Sequence, residues 1–186
     1  MSRLHADALG VLSAWEPPTA EQARLRDRYV AHLDRHPDGM TRACFPDHLT
    51  AGTLVLSADG DAVLLNLHRK AGRWFHFGGH CEDGDDSLAA VAEREAREES
   101  GLDGLGVTVV PLQLSEHTVA FCDPRGPVQH LDVRYAAIAP EGAVPATSEE
   151  SLDVRWWRLD DPDLPDLEPE LLELAALARD ALLPRG

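Results

Sequence analysis

From Thr19 to about His36, apolar residues recur at Leu25, Tyr29 and Leu33, a four-residue spacing that puts them on one face of a helix. Two prolines precede it, and Thr19 with Gln22 three residues on has capping-box spacing. "HPDGM" ends the helix, and from Leu49 the period shortens. "LTAGTLVLS" and "DAVLLNLHR" are β-rich runs joined at Asp59 and Gly60, which predicts a hairpin. A short strand at about Trp74 to Phe77 runs into Gly78 and Gly79. An acidic loop follows, then a helix from Leu88 to Ser100 closed by Gly101. "VTVVPLQL", "HTVAFC", "LDVRYAAIA" and "VRWWRL" predict further strands, and a last helix starts near Pro169 with Leu171, Leu174, Leu177 and Leu182 available to dock. The irregular stretch Pro140 to Ser151 predicts a loop over one end of the sheet. The order is mixed α/β. A chain of 186 residues suits one core, which we divide into an N-terminal helical extension over residues 1–48 and a single domain over 49–186.

The helix at Leu88 carries a conflict. At about 100° per residue, Glu95 and Glu99 continue the stripe begun by Leu88, Val91 and Ala92, with Glu98 at its edge. Glu93, Arg94 and Arg97 fall on the other side, where a solvated face belongs. An ordinary amphipathic helix would place leucine or alanine on that stripe, because like charges four residues apart repel and buried unpaired charge is costly. One guanidinium cannot neutralise three converging carboxylates. A divalent cation can, and Mg²⁺ or Mn²⁺ favour such oxygen donors.

Charge changes the picture further. The net charge is −16 and Lys70 is the only lysine, which argues against a nucleic-acid partner. Residues 82–99 hold eight acidic side chains against Arg94 and Arg97, so a phosphate substrate needs an intervening cation. The N-terminus lacks the pattern of a signal peptide, and no apolar run reaches the roughly 18 to 20 residues of a membrane span. The expectation is a cytoplasmic chain with no membrane partner. Cys44, Cys81 and Cys122 are odd in number and read as free thiols of a reducing compartment.

"GGHCEDGDDSLAAVAEREAREESGL", Gly78 to Leu102, resembles the signature of the Nudix hydrolase family. Arg94, Glu95, Ala96, Glu98, Glu99, Gly101 and Leu102 each fill a motif position. The first half departs: counting from Gly79 reaches Asp85, counting back from Arg94 reaches Asp86, and either replaces the motif's first glutamate. The resemblance implies an α/β/α sandwich with a mixed sheet. It implies a pyrophosphohydrolase that cleaves the diphosphate of a nucleoside diphosphate derivative, nucleotide or nucleotide-sugar, with Mg²⁺ or Mn²⁺. Carried over, Glu95, Glu98 and Glu99 are metal ligands, the Gly79 carbonyl is a further one, and Arg94 orients a glutamate. Glu98 ranks first as general base, with Glu149 or Glu150 as the other candidate. A Nudix-like module that binds a nucleotide or metabolite for regulation without hydrolysing it is the alternative.

Substrate contacts are assigned to Arg69 and Lys70 in the one basic cluster, against a solvated hairpin end, and to Trp74 and Gly78. "HFGGHC" offers His76, His80 and Cys81, whose chemistry suits zinc, but no second pair follows at finger-like spacing, so no zinc site is expected. "DGDDS" lacks the glycine and the final glutamate of a calcium loop. The expected partner is a small-molecule nucleoside diphosphate derivative, with a homodimer kept as an assembly state.

Overall fold

A computed structural model describes residues 2–183; the outermost positions of the domain division lie outside it. The elements are α1 (Arg3–Ala14), α2 (Ala20–Arg35), β1 (Asp47–Leu56), β2 (Ala62–His68), β3 (Trp74–Phe75), β4 (Phe77–His80), α3 (Leu88–Ser100), β5 (Gln113–Asp123), β6 (Gly126–Ile138), β7 (Ser151–Arg158) and α4 (Pro169–Leu182). No helix among the described residues is long and apolar enough to cross a membrane.

The seven strands form one mixed sheet. Its path runs β3-β2-β1-β6-β5, with β4 pairing β1 and β7 pairing β2. Among the described residues only β1 and β6 pair in parallel, in a ladder from Asp47↔Gln129 to Leu56↔Ile138. The hairpin closes at Gly60, whose φ of 74° suits a residue without Cβ. Because side chains alternate along a strand, the sheet has two distinct faces. Leu49, Ala51, Leu131, Val133 and Tyr135 pack under α1, α2 and α3, while Leu54, Leu56, Val63, Leu65 and Ala136 pack under α4.

Three expectations change. The sequence reading began at Thr19, yet Arg3–Ala14 is also helical and buries Leu4, Ala8 and Leu12 in the cluster that holds Tyr29, Leu33, Leu88 and Val91. The N-terminal helices therefore share a core with the sheet. Thr19 caps α2 as expected, accepting from the Gln22 N–H at 3.2 Å. The Gln22 side chain does not return to the cap, because it clamps β5, exchanging bonds of 2.9 and 2.7 Å with the backbone of Leu114. Finally, "VTVVPL" is not a strand. It touches β6 through Thr108 N to Ala136 O and Leu112 N to Arg134 O, Pro111 lacks a donor, and Val109 and Val110 are exposed.

Candidate active site

Local signals place α3. The Ser87 side chain accepts from the Ala90 N–H at 3.1 Å, and Gly101 ends the helix at φ 68° and ψ 11°. Leu88, Val91, Ala92 and Ala96 are fully buried, and Thr53 pins the helix to β1 by donating to the Ala92 carbonyl at 2.9 Å. Glu99 lies on this buried stripe with 6% exposure. Its Oε2 accepts from the Gly78 N–H at 3.0 Å. Burial pushes its carboxyl up to about 8; the Gly78 and Asn66 donors oppose the shift, and the charges of Glu95 and Glu150 add to it.

Glu95, one turn earlier, is also raised by burial, against Arg94 and with help from Glu98 and Glu150. Its carboxylate fills the space a side chain at Gly79 would need: a Cβ there would lie 2.6 Å from Oε1. Gly79 thus admits Glu95 to the edge of β4. Glu98 is exposed and shares Arg94 at 3.4 Å and Arg97 at 3.7 Å.

Arg94 departs from its expected solvated position. Its Cα faces away from the stripe, but its long side chain folds back and is only 15% exposed. Nε and Nη2 donate to Asp85 at 3.1 and 3.0 Å, Nη2 to the His80 carbonyl at 2.9 Å, and Nη1 to Glu95 at 2.9 Å. Asp85 is the loop carboxylate at the site, with its side chain 8% exposed, whereas Asp86 is 62% exposed and pairs with Arg3. Burial would raise Asp85, but Arg94 and the Glu82 N–H outweigh it and the net shift is downward.

The substrate-side candidates divide. Glu150 is close enough for its charge to raise both Glu95 and Glu99. Arg69 holds the loop before β7: its N–H donates to Glu150 O, Nε to Glu149 O and Nη2 to Ser151 O, each at 3.0 Å. That leaves its guanidinium engaged with backbone. Lys70 is exposed at the turn after β2. Trp74 pairs with Leu67 and meets Trp157 edge-on at 5.3 Å on the α4 side, so the register turns it away from the glutamates. Phe75, paired with Asn66, lies on their face. Asn66 itself was missed. As the one polar residue inside the buried run "AVLLNL" it was a readable signal, because strand cores seldom hold an amide without a partner. A groove of about 540 Å³ lined by Asp59, Pro140, Glu141 and Trp156 contains none of these residues, and we place no chemistry there.

Asp85, Glu95 and Glu98 thus surround Arg94, with the buried, raised Glu99 one turn on, along a helix packed against a mixed sheet. The Nudix domain model matches residues 46–178, and the chain belongs to the Nudix hydrolase family. A Nudix-family hydrolase from Clostridium perfringens aligns with a TM-score of 0.54 at 26% identity, covering 73% of this chain and 97% of that one. The NUDIX domain of Shewanella oneidensis NrtR, solved with ADP ribose, gives 0.55 at 24% identity over 72% and 87% of the two chains. Escherichia coli dihydroneopterin triphosphate pyrophosphohydrolase gives 0.51 at 18% over 59% and 80%. The last two likenesses are of fold. A search of curated proteins returns no match.

Proposed function

We propose that the protein hydrolyses a diphosphate bond in a nucleoside diphosphate derivative with Mg²⁺ or Mn²⁺ held by Glu95, Glu98, Glu99 and the Gly79 carbonyl. The observation that carries this reading is the pair of raised carboxylates, half-buried Glu95 and buried Glu99: Arg94, already engaged by Asp85, reaches Glu95, while Glu99 is met by the Gly78 N–H and Asn66. Their all-oxygen donor set fits a hard cation and would be costly without one. When bound, the ion supplies neutralising charge to the diphosphate and lowers the pKa of an attacking water.

The chain's own residues supply the rest. Arg94 holds Glu95 and Glu98 in place and ties them to Asp85 and the end of β4. Of Glu95, Glu98 and Glu99, Glu98 is the one open to solvent, which favours it as the group that takes the proton of the attacking water. Glu150, on the loop that Arg69 anchors, is the second candidate. Phe75 offers the aromatic face for a base on this side of the sheet, in place of Trp74. Proteins of the same fold include one solved with ADP ribose and a dihydroneopterin triphosphate pyrophosphohydrolase, in keeping with such a substrate class.

The test is turnover of a panel of nucleoside diphosphate derivatives with Mg²⁺ or Mn²⁺, with products followed. Glu98→Gln is expected to lower kcat by about 10²- to 10⁴-fold with KM little changed, and Glu150→Gln to do less. The reverse ranking would move the base to Glu150. Tight binding of one compound with no turnover of any would support the regulatory module instead.

A further inference from the structure

A second cluster stands on the other face of the sheet. His48 of β1, His80 of β4, Cys122 of β5 and His130 of β6 each present one donor atom, and all four donors lie within 4.8 Å of one another. Strand pairing explains the meeting. The parallel ladder sets His48 beside His130, the antiparallel pair β1 and β4 sets His80 across from Thr50, and an irregularity in β5 after Val119 carries Cys122 in.

Two of the donor separations are those of a coordination shell. Cys122 Sγ lies 3.3 Å from His80 Nε2 and 3.4 Å from His130 Nε2. Donors at about 2.0 to 2.3 Å from a tetrahedral centre are separated by about that much. The three imidazole centroids are 5.0, 5.1 and 4.8 Å apart, so the rings surround one point. His48 provides an independent observation. It is 1% exposed, its Nδ1 donates to the Cys44 carbonyl at 3.1 Å, and its Nε2 is buried with no hydrogen-bond partner. A buried ring nitrogen without a partner needs an explanation, and a carbonyl fixing the far nitrogen is how metal-binding histidines are oriented.

We infer that His48, His80, Cys122 and His130 form a tetrahedral zinc site, separate from the carboxylate cluster. Three imidazoles and a thiolate suit zinc and not magnesium, and four protein ligands leave no open position, so the site is structural. Binding releases the Cys122 thiol proton. It also requires the His80 proton to sit on Nδ1, so Arg42, which now bonds that nitrogen at 2.9 Å, must turn away; its side chain is exposed and can. The ion would tie the start of β1 and the end of β4 to the β5–β6 hairpin. His80 is also the residue whose carbonyl receives Arg94, so the site is placed to steady the strand end from which the acidic loop leaves. "HFGGHC" thus contributes one ligand. His76 pairs instead with Asp132 at 3.3 Å, and Cys81 packs against the α1–α3 core.

The full chain, purified without chelator, is expected to hold one zinc per molecule that excess Mg²⁺ does not displace, and to melt at lower temperature once stripped. Cobalt substitution is expected to give tetrahedral d–d bands and a thiolate-to-cobalt charge-transfer band. Cys122→Ser should abolish the charge-transfer band. His130→Gln should weaken zinc affinity by more than the about 10- to 100-fold that loss of a supporting hydrogen bond costs. Cys44→Ser, Cys81→Ser and Glu99→Gln should leave the spectrum intact, with circular dichroism confirming that each variant is folded. Folded wild-type protein that takes up neither ion overturns the inference. So does a charge-transfer band that survives Cys122→Ser, or one lost in Cys44→Ser, which would point to the His36, Asp38 and Cys44 group.

Discussion

Gly79 and His80 are neighbours on one strand and point to opposite faces of the sheet. On one side Gly79 makes room for the Glu95 carboxylate beside Glu99. On the other, His80 joins two histidines and a cysteine. Each face leaves a buried polar atom without a hydrogen-bond partner, Asn66 Oδ1 on the first and His48 Nε2 on the second. They differ in the donor: like-charged oxygens repel and raise one another's pKa, whereas neutral imidazoles and a thiol pack closely at little electrostatic cost. The first arrangement is poised for a hard, exchangeable cation that shares its ligands with phosphate, the second for a borderline cation enclosed by protein.

Substitutions can break this comparison on either face. Beyond the general-base test, the largest effect is expected from Glu99→Gln, which should cut kcat/KM by on the order of 10³-fold, several kcal/mol of charge stabilisation, while the metal-free protein keeps or gains stability. Full activity in a steady-state assay would make the carboxylate face merely structural. Next, Leu33→Ala should cost about 2–5 kcal/mol in urea titrations. Its loss should appear in one transition with the sheet, because Leu33 shares a cluster with Leu49 and Val91; separate melting of α1 and α2 would show an extension that folds on its own. Gly79→Ala adds a Cβ that meets the movable end of Glu95, not backbone. The fold should survive, with kcat/KM down by about 100-fold and more Mg²⁺ needed for half-maximal rate.

A pH series sharpens the contrast. Glu99 titrates at about 8 in the folded, magnesium-free protein, far above an ordinary carboxyl. Between the ordinary carboxylate range and about 8 the folded state holds a proton that the unfolded chain has released, so stability is full at the acid end of that window and falls as pH rises through it. Melting temperature against pH should slope downward in magnesium-free buffer and flatten with Mg²⁺ or in Glu99→Gln. Identical slopes in all three would show that Glu99 is not the source. The smallest effect is expected from Arg97→Ala, within about 0.5 kcal/mol of wild type. Arg94→Ala should lower kcat/KM, since Arg97 is an exposed neighbour and Arg94 links three carboxylates.

Much of the carboxylate site was legible because its signals are local. Ser87, Gly101 and a 3.6-residue period delimit α3, and the same period exposes Glu95 and Glu99 as charges on an apolar stripe. The helical wheel alone put Arg94 on the far side, because it positions the Cα and not the end of a long side chain; the family resemblance had it orienting a glutamate, and it bonds Glu95. Trp74 was preferred to Phe75 because both lie in one short aromatic run; only pairing with Leu67 and Asn66 assigns their faces. The choice between Asp85 and Asp86 depended on which one a folded-back arginine reaches.

The chain's own order of residues determined most of the elements, α1 and the irregular run before β5 excepted, together with the hairpin at Gly60, the charge that calls for a cation, and the family, since each depends on neighbours within a few turns. Tertiary structure alone decided that α1 and α2 belong to the sheet's core, that Asn66 meets Glu99, and that His48, His80, Cys122 and His130 converge. Those contacts join residues from separate strands and helices, and they exist only once strand register has chosen a face for each side chain.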